Sequence, residues 1–244
     1  MISKSVYAIV LAGGDDDKLA KTQAVTRKAD IIVNSKPLYW PVLNSLIESD
    51  FIKQIFYVGN LEQHYSDLVT LVNPGDSFVD SLKAGFEAAI DCGAKTILVI
   101  TADLPFVRKK TIDSFISNCP EADLVYPIIS QEVSEKQFPK QKRTYVKLIE
   151  GRFTGGNGVL LKASIIPKLL PFADKAYKSR KSPLKLATLI GLVAVIKLLI
   201  GRASISTLES KVSFLLGAKV VTLNCSDASL GTDLDRLEHL QSLN

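Results

Sequence analysis

The chain has little cysteine, no long unbroken apolar run and no strong excess of either charge, and each scarcity removes a class of protein. Cys92, Cys119 and Cys225 lie far apart, with no metal-ligand spacing and no even-numbered disulfide framework. They read as reduced, small apolar residues in a cytoplasmic protein. His64 and His239 have no partners at catalytic spacing, and both read as surface or packing residues. No serine sits in a nucleophile-elbow motif, so acyl transfer has no support. A net charge of +5 favours anionic ligands but is too mild to indicate nucleic acid, and zinc-finger and RNA-binding aromatic signatures are absent. The N-terminal stretch does not resemble a cleaved signal. Internal repeats and low-complexity linkers are missing too.

The longest apolar run, 186–200, is interrupted by Lys197. As a helix it would span about 22 Å at ~1.5 Å per residue, short of the about 30 Å of a bilayer core. Membrane spanning is therefore not expected. Two readings of the run stay open. One is burial in the domain or in a homodimer interface, since a helix apolar on every side needs cover on every side. The other is weak peripheral docking on anionic lipid, with the basic stretch 175–185 as its flank.

What is present is an ordinary globular composition, with 47% apolar and 23% charged residues over 244 positions. That suffices for one large α/β domain or two small ones. The stretch Val6-Tyr7-Ala8-Ile9-Val10-Leu11-Ala12-Gly13-Gly14 reads as a buried strand feeding a tight loop. Paired glycines let backbone N–H groups converge on one point, which is a way to hold phosphate. Further strands are expected at 52–58, 96–103 and 123–129, and helices at 39–48, 78–90 and 110–117. Asn73-Pro74-Gly75-Asp76-Ser77 supplies a turn and a helix cap. Strands alternating with helices at this spacing indicate a three-layer αβα, Rossmann-like domain with a mostly parallel, mixed sheet. Ligands in such sheets bind at the carboxyl ends of the strands, where Gly13, Gly14 and Asp103 would all lie.

The second half differs. A polar, basic loop is expected at 135–143, and paired strands at 144–148 and 151–161 around Thr154-Gly155-Gly156-Asn157. Those glycines read either as a hairpin turn or as a ligand-facing loop. A helical addition covers 165–216, including a helix at 205–216, within a single domain of 1–244. A strand at 219–223 and a helix from 234 complete the chain.

Leu11-Ala12-Gly13-Gly14, a lysine ahead of Lys36-Pro37-Leu38, Thr101-Ala102-Asp103-Leu104-Pro105 and Gly231-Thr232-Asp233-Leu234-Asp235 occur in that order. Together they resemble the nucleoside-triphosphate transferase family with the glycosyltransferase-A-like fold, in particular its molybdenum-cofactor guanylyltransferase-like branch. Arg143-Thr144-Tyr145-Val146-Lys147 and Phe153-Thr154-Gly155-Gly156-Asn157 look like a subgroup whose substrate is unassigned.

The resemblance implies transfer of a nucleoside monophosphate from a nucleoside triphosphate to a small, phosphorylated acceptor, with release of pyrophosphate. It implies nucleotide contacts from Leu11, Ala12, Gly13, Gly14, Lys18, Ser77 and Ser81, and a phosphate-neutralising Lys28 that acts with Asp103. Mg²⁺ would be held by Asp103 and by Asp233 with Asp235, and Thr154, Gly155, Gly156 and Asn157 would face the acceptor. A hard cation on one or two carboxylates, with its other positions left to water and phosphate oxygens, suits that chemistry.

Departures from the family pattern concentrate in the glycine loop. Lys18 and Ala20 stand where arginine and glycine are common, and Asp15, Asp16 and Asp17 place three acids beside a phosphate site. A nucleotide-binding protein without catalysis is therefore the alternative. A sugar-nucleotide-dependent glycosyltransferase on the same fold is a further one, although Thr101 occupies the position where that chemistry expects a second acid.

Overall fold

The computed structural model describes residues 5–12, 25, 27–33, 35–61, 67–141, 143–179, 197 and 200–234. Strand β1 (Val6–Leu11) is buried along its whole length, as an unbroken apolar strand at the middle of a sheet must be. Its side chains alternate between two cores. Val6, Ala8 and Val10 pack on one face of the sheet, while Tyr7, Ile9 and Leu11 pack on the other.

Two short strands, β2 (Ile32–Val33) and β3 (Lys36–Pro37), form a separate ladder before helix α1 (Trp40–Glu48). The chain continues through β4 (Ile52–Val58), β5 (Val69–Val72), α2 (Phe78–Asp91), β6 (Thr96–Thr101), α3 (Lys109–Asn118) and β7 (Leu124–Ser130). Then come α4 (Gln131–Gln137), β8 (Val146–Leu148), β9 (Gly151–Gly155), β10 (Gly158–Lys162), α5 (Ile166–Ser179), α6 (Ile205–Leu216) and β11 (Val220–Asn224).

Among the described residues these strands form one sheet in the order β5-β4-β1-β6-β10-β7-β9-β8, with β11 also paired to β7. The half around β1 is parallel, from β5 to β6, whereas β10, β7, β9 and β8 pair antiparallel. Helices α1 and α3 cover one face and α2, α5 and α6 the other, which is the three-layer arrangement expected. Helices α5 and α6 make up the described part of the addition expected at 165–216. No helix among the described residues is long and apolar enough to cross a membrane.

Three local expectations are corrected. Strand β5 was not anticipated; it is a half-exposed edge strand with Leu71 54% exposed, so its pattern carries little apolar alternation. Residues 131–137 form a helix rather than leading into a loop at 135, because the Ser130 side chain caps it by accepting a hydrogen bond from the Val133 N–H at 3.2 Å. The third concerns the glycines at 155–156, which do not make a hairpin turn. Ile128 has Gly155 on one side and Asn224 on the other, so β9 and β10 run along the same side of β7. Ile128 opposes Gly155 and Val125 opposes Leu160, three residues along β7 against five along its partner. The segment 151–162 is thus one strand bulged at Gly156–Asn157. Below the bulge its other neighbour is β6; above it, that neighbour is β8.

Candidate active site

The carboxyl end of β1 is tied to both flanking strands. The Ala102 N–H donates to the Leu11 carbonyl at 3.0 Å, and the Ala12 N–H donates to the Val58 carbonyl at 3.1 Å. Leu11 and Ala12 therefore fix where the next residues depart from the sheet edge. Gly13, Gly14, Asp15, Asp16, Asp17, Lys18 and Ala20 lie outside the described residues, as do Asp235, His64 and His239 and the apolar residues 186–196.

Asp103 stands at that same edge, two residues beyond β6. The Thr101 hydroxyl donates to its Oδ1 at 2.6 Å and Lys28 Nζ donates to its Oδ2 at 2.6 Å. The Lys28 and Asp103 side chains are 16% and 19% exposed, so the pair is largely withdrawn from bulk water, where charges act on one another more strongly. Lys28 comes from a short 3₁₀ turn (Lys28–Asp30) far away in sequence. Only the tertiary fold joins it to Asp103.

The C-terminal motif reaches the same place. The Leu234 N–H donates to the Asp103 carbonyl at 3.1 Å, which brings Asp233 alongside. Arg143 Nη1 in turn donates to Asp233 Oδ1 at 3.1 Å. Among the described residues no group of three His, Cys, Asp or Glu side chains could hold a metal ion. The two carboxylates at this edge, Asp103 and Asp233, would suit a cation that completes its shell with water and substrate phosphate rather than one needing an all-protein cage.

Ser77 and Ser81 hold the start of α2. The Ser77 hydroxyl accepts from the Asp80 N–H at 3.1 Å and donates to Asp80 Oδ2 at 2.6 Å. Buried Ser81 accepts from the Gly75 N–H at 3.1 Å. Both hydroxyls are engaged in shaping the turn, so what they set is the position of the helix's first backbone amides.

Of the four residues Thr154 to Asn157, Thr154 and Gly155 pair with β7, and Gly156 and Asn157 form the bulge. The Gly156 N–H donates to the Pro127 carbonyl at 2.9 Å, the Asn157 N–H to the Leu230 carbonyl at 2.8 Å, and the Thr101 N–H to the Asn157 carbonyl at 3.1 Å. The bulge is thereby bonded directly to the strand that carries Asp103. Gly155 is needed because a Cβ there would lie 2.1 Å from the Tyr126 hydroxyl. Tyr126 is 39% exposed as a residue, with its hydroxyl end packed against Gly155. Burial pushes the phenol above its usual range, and the nearby Arg143 charge acts against that shift.

Thr101, Arg143 and Tyr126 were not singled out by sequence as site residues. Arg143 stands in a motif that the sequence does display, but its partner Asp233 lies too far along the chain to be inferred. Along this segment Gln141 Oε1, Arg143 Nε and Tyr145 Oη are buried polar atoms with no hydrogen-bond partner among the described residues. Such atoms are costly unless a ligand or water meets them.

Residues 8–185 match the family model of the MobA-like NTP transferase domain. The chain belongs to this family. A structure described as a hypothetical transferase from Thermus thermophilus is 34% identical, covers 97% of this chain and 99% of its own, and superposes with a TM-score of 0.86. CMP:2-keto-3-deoxy-manno-octonic acid synthetase complexed with CTP shares the fold at 12% identity and a TM-score of 0.60, over 99% of this chain and 97% of that one. So does 4-diphosphocytidyl-2C-methyl-D-erythritol synthase from Anaerococcus prevotii, at 14% identity and 0.60, over 100% and 96%. No match is found among curated proteins. Membership in this family agrees with the resemblance drawn from the ordered motifs, and it supports nucleotidyl transfer in general terms.

Proposed function

We propose that the protein is a Mg²⁺-dependent nucleotidyltransferase that moves a nucleoside monophosphate from a nucleoside triphosphate to a small phosphorylated acceptor, releasing pyrophosphate. The observation that carries this reading is the Lys28–Asp103 pair at the carboxyl edge of the sheet, held by Thr101 and adjoined by Asp233. The acceptor oxygen attacks the α-phosphorus as the bond to the pyrophosphate oxygen breaks, so negative charge accumulates on the α-phosphoryl oxygens and on the leaving group.

Lys28 sits where it can neutralise that charge without reorganising, because its ammonium is already fixed by the Asp103 carboxylate. Thr101 keeps the carboxylate plane of Asp103 in one orientation. Asp103 and Asp233 would hold Mg²⁺, which when bound supplies electrostatic stabilisation of the phosphate oxygens. The amides beyond Leu11 and Ala12 and those at the start of α2 would receive the nucleotide. Thr154 to Asn157 would face the acceptor, with Arg143 meeting its anionic group.

Thr101 argues against the glycosyltransferase alternative, since it serves as a hydrogen-bond donor to Asp103 at the position where a second acid is expected. The test is a thermal-shift screen of the four nucleoside triphosphates with and without Mg²⁺, followed by a pyrophosphate-release assay over an acceptor panel. Stabilisation by a triphosphate that needs Mg²⁺, and pyrophosphate release lost in Asp103→Ala, are expected. Robust turnover by Asp103→Ala would reject the assignment. Binding without release across the panel would favour the non-catalytic alternative.

A further inference from the structure

We propose that the acceptor is an amphiphile, with a phosphate or hydroxyl head presented at Asp103 and a hydrocarbon body seated against the face of the sheet covered by α5 and α6. This rests on the nucleotidyltransferase reading and narrows its substrate class. A cavity of about 640 Å³ begins where β1 and β6 end, at Leu11 and Thr101, and follows the bulge at Gly156–Asn157. From there it runs between the sheet and the two helices, against Phe172, Leu208, Val212 and Leu216. Its size falls in the range of about 300–1,000 Å³ that encloses a whole small ligand.

Three features decide what it would take. First, the wall is carbon almost throughout, and its carboxylate is already satisfied: Glu209 accepts from the Thr222 N–H at 2.6 Å and from the Thr222 hydroxyl at 2.8 Å. A wall that is nearly all carbon, with its one carboxylate already paired, favours an apolar occupant over a polar one. Second, the triphosphate of the nucleotide cannot be that occupant, because its phosphates would lose their hydration there without replacement. Third, Thr101 belongs to both places, since it lines the cavity and donates to Asp103. The mouth of the apolar space is therefore one hydrogen bond from the carboxylate at the reacting end, so a molecule with its tail in the cavity has its head at Asp103.

Calorimetric titration of the full chain with inorganic phosphate and with butyl, octyl and dodecyl phosphate, kept below aggregation, tests this. Affinity is expected to rise about two- to fourfold for each added methylene until the cavity is full. Leu208→Trp, which fills the cavity, is expected to abolish the chain-length dependence while nucleotide binding in the same preparation persists. Nucleotide binding accompanied by alkyl-phosphate affinity that is flat with chain length, or undetectable, would overturn the proposal. That is also the result if the chain's own apolar run 186–200 covers this wall. Loss of nucleotide binding in the unaltered chain would sink the nucleotidyltransferase reading instead, whatever the alkyl phosphates do.

Discussion

The two faces of the sheet are covered by helices of similar length that do very different things. On one face, nine-residue α1 buries Val42, Leu43, Ser45 and Leu46, and ten-residue α3 buries Thr111, Ile112, Phe115 and Ile116. On the other, fourteen-residue α5 fully buries Ile166 alone and twelve-residue α6 fully buries Leu216 alone. The first pair packs its apolar side chains onto the strands, while the second borders the apolar cavity, with α6 also bonded to β11 through Glu209 and Ser213. One face is filled by the side chains of α1 and α3; on the other α2 packs tightly through Leu82, Phe86 and Ala89, and the open space lies beneath α5 and α6. That second face has room for a ligand, and less of its stability depends on any one side chain.

Substitutions on each side test that contrast. Phe115→Ala, on the packed face at 3% exposure, should cost about 3–5 kcal/mol in chemical denaturation, because a tightly packed site collapses little around the void. If it costs no more than its counterpart on the cavity face, the two faces are alike. Lys28→Met, at the sheet edge between them, should lower kcat/KM for pyrophosphate release by about 10²–10³-fold while the melting temperature scarcely moves. A large drop in stability with unchanged kinetics would make the Lys28–Asp103 pair structural.

Asp227 offers a carboxylate of the other kind. Burial works against its charge, but hydrogen bonds from the Thr111 hydroxyl (2.6 Å) and from Ser229, through its hydroxyl and its N–H (3.0 Å), outweigh that and hold its pKa below the ordinary 3.8. A carboxyl whose pKa is lowered on folding stabilises the fold above its unfolded pKa. That contribution fades as pH falls through the folded value. Thr111→Val should therefore cost about 1–3 kcal/mol at neutral pH, with the difference from the parent shrinking below about pH 4 in urea titrations. A difference that is constant with pH would mean the bond does not act on Asp227.

Leu208→Ala should cost less than about 1 kcal/mol, since Leu208 already borders open space on the cavity face. The smallest effect concerns the thiols. Burial pushes Cys119 up to about 12 and Cys225 up to about 11, each with a further contribution from a neighbouring negative charge, whereas Cys92 is exposed. A thiol reagent at about pH 8 should modify Cys92 quickly and the other two only on unfolding. Rapid reaction of all three in the native protein would show that the packed face opens readily.

Much of the parallel half was legible because its strands are buried on both faces and read as unbroken apolar runs. β1, β4 and β6 and the helices between them appear at or within a residue or two of their expected bounds. The antiparallel half was less so. Nothing in Thr154-Gly155-Gly156-Asn157 distinguishes a hairpin from a bulge, because both need small residues. The choice is made by what surrounds the glycines, namely Tyr126, Pro127 and Leu230. Asp103 could be picked out as a carboxylate just past a buried strand, but Thr101 as its hydrogen-bond donor and Arg143 as the partner of Asp233 emerged only through contacts.

Fold class and family were legible in the sequence alone, which also pointed to the strand ends where the site is proposed, because periodicity and short motifs are local and survive without coordinates. The tertiary structure decided which distant side chains meet. Lys28 reaches Asp103 and Arg143 reaches Asp233 across 75 and 90 positions, and two helices that look ordinary in sequence border a cavity against the sheet. Pairing and empty volume belong to the packed whole, since each is set by the distance between elements and no single segment encodes it.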